Sequence, residues 1–266
     1  VTTSSVLPPR ERFSGRIVAR EAGVVCGLIA AERTFTMLAE ACGGQGEVVF
    51  EALASDGDPV EPGTVVARVS GCANLLLAAE RTALNLLATL SGIATEAARW
   101  QAAAGPDVAV LDTRKTLPGL RALSKWAVAC GGAHEHRAGL WDMVLIKDNH
   151  VRLAGGLAVA VKAARRAHPD LLVEAEADTV EQAAEAARAG ADIVLLDNME
   201  PDALRRAVDT VRAASAGRER PCLTEASGGL TLERLPEIVA AGVDRVSTSA
   251  LTLARPLDFG FDEQAG

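Results

Sequence analysis

Met143-Val144-Leu145-Ile146-Lys147-Asp148-Asn149-His150 is a short apolar run that ends abruptly in polar residues able to do chemistry. The same unit recurs along the chain. Val108 to Leu111 precedes Asp112-Thr113-Arg114-Lys115, and Leu171 to Val173 precedes Glu174-Ala175-Glu176. Ile193 to Leu196 precedes Asp197-Asn198, Cys222 to Thr224 precedes Glu225-Ala226-Ser227-Gly228-Gly229, and Val243 to Val246 precedes Ser247-Thr248-Ser249. A helix-like stretch follows each run. Buried strands alternating with helices pair in parallel through right-handed crossovers, and the even phasing predicts an α/β barrel. Polar groups at the strand C-terminal ends then converge on one mouth, where loops present charges over a packed interior.

The first part of the chain has a different pattern. Strand-like runs at Arg16 to Ala19, Gly46 to Phe50 and Val65 to Val69 flank a helical stretch, Ala30 to Ala41, and a turn signal, Ser55-Asp56-Gly57-Asp58. This mixture predicts an α+β sandwich. A long helix is expected from Asn74 to Ala104, with Leu76, Leu77, Leu84, Leu87 and Leu90 on its apolar face and Gly92 loosening it near the domain junction. The expected division is therefore a sandwich domain over residues 1–90 and a barrel domain over 91–251.

Composition narrows the function. With 266 residues, of which 49% are apolar, the chain can bury one large core or a core with a smaller satellite. No stretch has the roughly 20 uninterrupted apolar residues of a membrane span, and the start lacks the basic and apolar regions of a signal peptide. Beginning at Val1 rather than Met, the sequence is expected to be part of a longer chain. Five widely spaced cysteines without a Cys-x-x-Cys pair argue against a disulfide framework or a structural zinc, and make the cytoplasm the expected compartment. A net charge of −8 argues against nucleic acid as a partner.

The placement of the cations says more than their sum. Lysine occurs only four times against twenty-three arginines, yet Lys115 and Lys147 both fall at strand ends in the expected mouth. Arg114 and the pair His136-Arg137 join them. An acidic protein with a local cationic pocket calls for an anionic ligand.

Seven strings carry a further likeness. Glu80-Arg81-Thr82-Ala83-Leu84-Asn85 with Ser91-Gly92-Ile93-Ala94-Thr95, then Asp112 to Arg121, Gly131-Gly132 before His136-Arg137, Ile146 to His150, Glu174-x-Glu176, Leu195 to Asn198 and Glu225-x-Ser227-Gly228-Gly229 stand in a particular order and spacing. In that order the chain resembles the quinolinate phosphoribosyltransferase family over essentially its whole length. The resemblance implies a sandwich domain joined to an incomplete parallel α/β barrel of about six to seven strands, with residues 252–266 returning to the sandwich. It also implies transfer of a phosphoribosyl group from phosphoribosyl pyrophosphate to quinolinate, with loss of the 2-carboxylate as carbon dioxide, giving nicotinate mononucleotide and pyrophosphate. A homodimer is implied, with Arg81 serving the neighbouring active site.

The residue types suit that chemistry. Quinolinate is a dianion, and Arg81, Arg114 and Arg137 offer guanidinium forks while His136 and Lys147 add further donors. Glu176 and Asp197, at consecutive strand ends, are the hard oxygen ligands expected for Mg2+, and they face positive charge developing on the ribose. Lys115 would meet the pyrophosphate as a point charge. Ser227, Gly228 and Gly229, with Ser247, Thr248 and Ser249 on the next strand end, are expected to hold a phosphate through amides and hydroxyls. Two other readings stay open: the same fold with another aromatic acid as acceptor, for which an inward-pointing Glu135 is the main support, and a catalytically silent barrel that binds sugar phosphates.

Overall fold

The computed structural model describes residues 2–8, 11–43 and 48–263, and divides into two compact units. The first comprises Val1–Ala98, Leu117–Gly132 and Leu251–Gly266; the second, Arg99–Thr116 and Ala133–Ala250.

In chain order the first unit holds α1 (Thr2–Val6), β1 (Arg12–Ala19), β2 (Gly23–Val24), α2 (Leu28–Ala41), β3 (Val49–Ala52), β4 (Pro59–Val60), β5 (Val65–Cys72) and most of α3 (Ala73–Ala104). Part of the expected strand at Gly46 to Phe50 lies outside the described residues; β3 begins at Val49. The main sheet is antiparallel, and its edge strand is the chain's last, β12 (Phe259–Glu263), paired with β1 from Ala19↔Phe259 to Gly15↔Glu263. Ile17, Phe35, Val66, Leu76 and Leu87 are sealed into its core, and Phe261 packs on it with its ring 6.2 Å from that of Phe35. Such wholly apolar filling is what drives a small sandwich to fold.

Two expectations for this region change. Gly92 does not loosen α3, which runs unbroken through it. A Cβ there would lie 2.1 Å from the Arg255 carbonyl oxygen, so its glycine permits the returning chain to cross the helix at close range. Leu77 is exposed, while Leu76, Leu84, Leu87 and Leu90 form the buried face.

The helix after the first barrel strand, α4 (Arg121–Cys130), belongs to this first unit rather than to the barrel stretch 91–251 in which the sequence reading placed it. Its Trp126 indole donates to Asp56 Oδ2 at 3.0 Å, and Gly131 brings its backbone against Ala94 and Ala97 of α3. Asp56 Oδ1 meanwhile accepts the amides of Gly27 and Leu28, so one carboxylate anchors both α4 and the start of α2. Cys26 and Cys130 approach the same carboxylate, and all five cysteines are free thiols.

The second unit is built on six parallel strands: β6 (Ala109–Leu111), β7 (Val144–Ile146), β8 (Val173–Ala177), β9 (Ile193–Asp197), β10 (Leu223–Ser227) and β11 (Arg245–Ser247). They are ordered β6-β11-β10-β9-β8-β7, and an isolated bridge from Leu111 to His134 adds a short seventh rung beside β6. The helices α5 (Asp148–Ala154), α6 (Leu157–Ala167), α7 (Val180–Ala189), α8 (Pro201–Ala214) and α9 (Leu235–Ala240) alternate with strands β7 to β11. On α8 the buried residues Leu204, Ala207, Val208 and Val211 fall at helical spacing, and α7 is capped by Thr179, whose hydroxyl accepts from Gln182 N. The second unit is the incomplete parallel α/β barrel, and the first is the α+β sandwich. Strands β8 and β10 run beyond their apolar runs, through Glu174 and Glu225, which are wholly buried.

Candidate active site

The mouth is organised first by Asp112, the residue after β6. Its buried carboxylate accepts the His136 amide at 2.8 Å, so the loop carrying His136-Arg137 is tied to the loop carrying Arg114-Lys115. Thr113 Oγ1 accepts the Lys115 amide at 3.0 Å, turning that loop toward the opening. After β7, the Lys147 amide donates to His150 Nδ1 at 3.0 Å, fixing the backbone from which the Lys147 side chain leaves. The result is a cavity of about 180 Å³ lined by Arg114, Lys115, His136, Arg137 and Lys147, with Ser227, Ser247, Thr113, Leu145 and Leu195 completing the wall. Burial and the neighbouring Arg114 guanidinium both depress the Arg137 pKa. An anion entering the cavity relieves that repulsion.

Carboxylates border the cations. Glu176 forms an ion pair with Lys147, and its oxygens converge with those of Asp178 and Asp197 so that one from each lies within 4.8 Å of the others. Asp197 Oδ2 accepts from Asn198 Nδ2 at 2.7 Å, and Asn198 sits in the left-handed region at φ 52° with its amide bonded to the Ser227 carbonyl. That packing explains Gly228: at φ 87°, a Cβ would fall 2.5 Å from the Asn198 side chain.

Beneath the mouth lies a buried charged cluster. His136 Nε2 is 3.0 Å from Glu174 Oε2 and 3.5 Å from Glu225 Oε1, and Glu225 Oε2 is 2.8 Å from Arg245 Nε. Burial alone would lower the His136 pKa, but the two carboxylates outweigh it and hold it up at about 9. Burial, reinforced by the charge of Glu225, likewise raises Glu174, whereas His136 and Arg245 outweigh burial at Glu225 and lower it. Two carboxylates against one guanidinium leave the cluster one positive charge short, so it retains an extra proton. Because His136 Nδ1 accepts the Arg137 amide at 2.8 Å, that proton belongs between Nε2 and Glu174.

Seven of the residues singled out from sequence line one cavity: Arg114, Lys115, His136, Arg137, Lys147, Ser227 and Ser247. Glu176, Asp197 and Gly228 stand at its border through the contacts above. Gly229, at φ 58°, continues the glycine turn. Thr248 is buried, its amide bonded to the Leu111 carbonyl and its hydroxyl accepting from Ala250 N, while Ser249 follows between them in the chain. Arg81 is not among the lining residues; it projects from α3 with its side chain 74% exposed and Glu80 at 3.9 Å. Glu135 is exposed and does not line this cavity. Sequence reasoning assigned no site role to Asp178, Glu174, Glu225, Arg245 or Asn198. The two glutamates stood in the quoted motifs, but nothing in one sequence distinguishes a glutamate at the mouth from one pointing into the barrel.

The model of the quinolinate phosphoribosyl transferase N-terminal domain matches residues 1–91, and that of the C-terminal domain matches 93–262. The chain belongs to the quinolinate phosphoribosyltransferase family. It is 40% identical to the nicotinate-nucleotide pyrophosphorylase [carboxylating] of Mycobacterium leprae over 98% of this chain and 90% of that protein. With the probable enzyme of that name from Synechocystis it shares 42% identity, over 91% of this chain and 79% of the relative. Among solved structures, the nicotinate-nucleotide pyrophosphorylase from Francisella tularensis superposes with a TM-score of 0.90 at 31% identity, covering 99% of this chain and 90% of that one. The Ehrlichia chaffeensis enzyme gives 0.89 at 33% identity, covering 99% and 92%. Both units of the chain, not the barrel alone, are thus accounted for by this transferase family.

Proposed function

We propose that the barrel mouth is where this phosphoribosyltransferase joins quinolinate to phosphoribosyl pyrophosphate, with Arg114, Arg137 and Lys147 receiving the acid and Lys115 the pyrophosphate. The chain is a pentosyltransferase of NAD biosynthesis by its family and relatives. The observation that carries the site assignment is the meeting of two arginines and two lysines in one small cavity of an acidic protein, with the Arg137 pKa depressed by burial and by Arg114. Each charge-assisted hydrogen bond contributes about 1.5–3 kcal/mol net, so a few suffice to hold a small rigid dianion.

Magnesium fits the carboxylate group of Glu176, Asp197 and Asp178, whose oxygens are hard ligands already gathered within one coordination sphere's reach. When bound there, the ion would offset the charge of the pyrophosphate. The protein's own part is positioning. Glu176 and Asp197 present negative charge to the ribose as its C1–O bond breaks, and the guanidiniums hold the pyridine nitrogen in line to form the C1–N bond. The ring nitrogen is then cationic, so the bond to the adjacent carboxylate breaks, carbon dioxide leaves, and the ring carbon takes a proton. No protein nucleophile takes part. Ser227, Gly228, Gly229, Ser247, Thr248 and Ser249 form the 5-phosphate site, a late-strand position common in barrels.

Arg81 supports a homodimer: a guanidinium that projects from α3 with its side chain 74% exposed is suited to reach the site of a second copy. The test is turnover of quinolinate and phosphoribosyl pyrophosphate with magnesium, followed by ultraviolet formation of nicotinate mononucleotide and by carbon dioxide release. Product in the wild type and its loss in Arg114→Ala is the expected result; equal rates in both would refute the assignment of the anion site.

A further inference from the structure

A buried charged cluster such as the one under the mouth is a poor way to hold a barrel together. Similar-sized apolar side chains in such a place are often as stabilising or more so, because desolvating carboxylates costs several kcal/mol per ion. Its geometry is specific, however. Strand β8 supplies Glu174 and β10 Glu225, both of which meet one imidazole from below, and β11 supplies Arg245, which holds the far oxygen of Glu225. That imidazole uses its other nitrogen to hold the Arg137 amide, and its own amide is held by Asp112 after β6. Four strands thus fix one two-residue stretch, His136-Arg137. These contacts converge on the stretch that carries Arg137.

We propose that Glu174, Glu225 and Arg245 are positioning residues for the acceptor: by clamping the His136 ring they place the Arg137 guanidinium against a carboxylate of quinolinate. Both ring nitrogens of His136 face protein groups, so its part is to carry this constraint to the mouth. A guanidinium fork pays in affinity only when its two N–H vectors match the carboxylate plane, and a loop left to sample several orientations loses that match. The cluster therefore acts on the acceptor and leaves the donor alone.

This rests on the assignment of Arg137 to quinolinate, so the experiment carries Arg137→Ala beside Glu225→Gln and Arg245→Lys. KM for quinolinate, KM for phosphoribosyl pyrophosphate and kcat are measured for each, with circular dichroism as the check on folding. The expected result for Glu225→Gln is an increase of about tenfold in the quinolinate KM, with the donor KM and kcat within about threefold of wild type. Arg245→Lys, which keeps the charge and loses the fork, is expected to show a smaller shift of the same kind, and it decides the matter if Glu225→Gln does not fold. An unchanged quinolinate KM in the folded variant, or equal rises in both KM values, would overturn the proposal. An unchanged quinolinate KM in Arg137→Ala would instead overturn the acceptor assignment itself, whatever Glu225→Gln does.

Discussion

The two units fill their interiors in opposite ways. The core cluster of the sandwich is apolar, with Ile17, Phe35, Leu76 and Leu87 at its centre and the buried Lys125 lying outside it on α4, while the barrel sheet buries Glu174 and Glu225 at 0% exposure, within ion-pair distance of His136 and Arg245. Apolar filling has no direction, whereas a buried ion pair holds particular atoms at particular distances. The difference teaches where stability and where precision reside: the first unit is held by area removed from water, and the second gives up part of that to aim the groups at its mouth.

The comparison can be broken from either side. The largest expected effect on stability is in the sandwich: Phe35→Ala removes a ring that is 1% exposed and should cost about 3–5 kcal/mol, read as a lower Tm and denaturation midpoint. Site mutants at Lys147 or Arg114 should leave both nearly unchanged while removing turnover.

Mixing tests whether the sites are shared between copies. Arg81→Ala and Lys147→Ala are each expected to be inactive alone, and random re-association of equal amounts should restore about a quarter of wild-type activity, because half the dimers then carry one site with both residues. Mixtures as inactive as the parents would place Arg81 outside the neighbouring site.

A smaller effect distinguishes the charged interior by pH. Since the folded pKa of His136, about 9, exceeds its ordinary value of 6.5, the folded state binds more protons than the unfolded chain between those limits. The stabilisation is complete below about pH 6.5 and is lost as pH rises through about 9. Thermal melts across this range should show a steeper decline for the wild type than for His136→Asn; parallel declines would deny the cluster its extra proton. The smallest effect is expected at Glu135, exposed beside the mouth: Glu135→Gln should change stability by no more than about 0.5 kcal/mol and leave the quinolinate KM in place.

The strand ends were legible because an apolar run followed by Asp-Thr-Arg-Lys or Lys-Asp-Asn-His marks its own boundary. Those of β8 and β10 were not, since Glu174 and Glu225 end the apolar pattern while the backbone pairing continues to Ala177 and Ser227. Hydropathy counts charge as exposure, and here the charges point inward at one another. The membership of α4 was hidden for a related reason: a strand–helix rhythm assigns each helix to the strand before it, whereas the Trp126 contact with Asp56 and the approach of Gly131 to α3 show where this one docks. Asp178 was missed because it follows the expected strand end by five residues, within reach of Asp197 only once β8 is drawn to its full length.

The most direct test of the account is calorimetric titration of quinolinate into the wild type and into Arg137→Ala at one ionic strength. The account predicts saturable binding in the wild type and a loss of at least about tenfold in the variant, with a melting temperature that stays close to wild type. Equal affinity in both proteins would contradict the claim that the cations of the barrel mouth, held from beneath by the buried cluster, form the acceptor site.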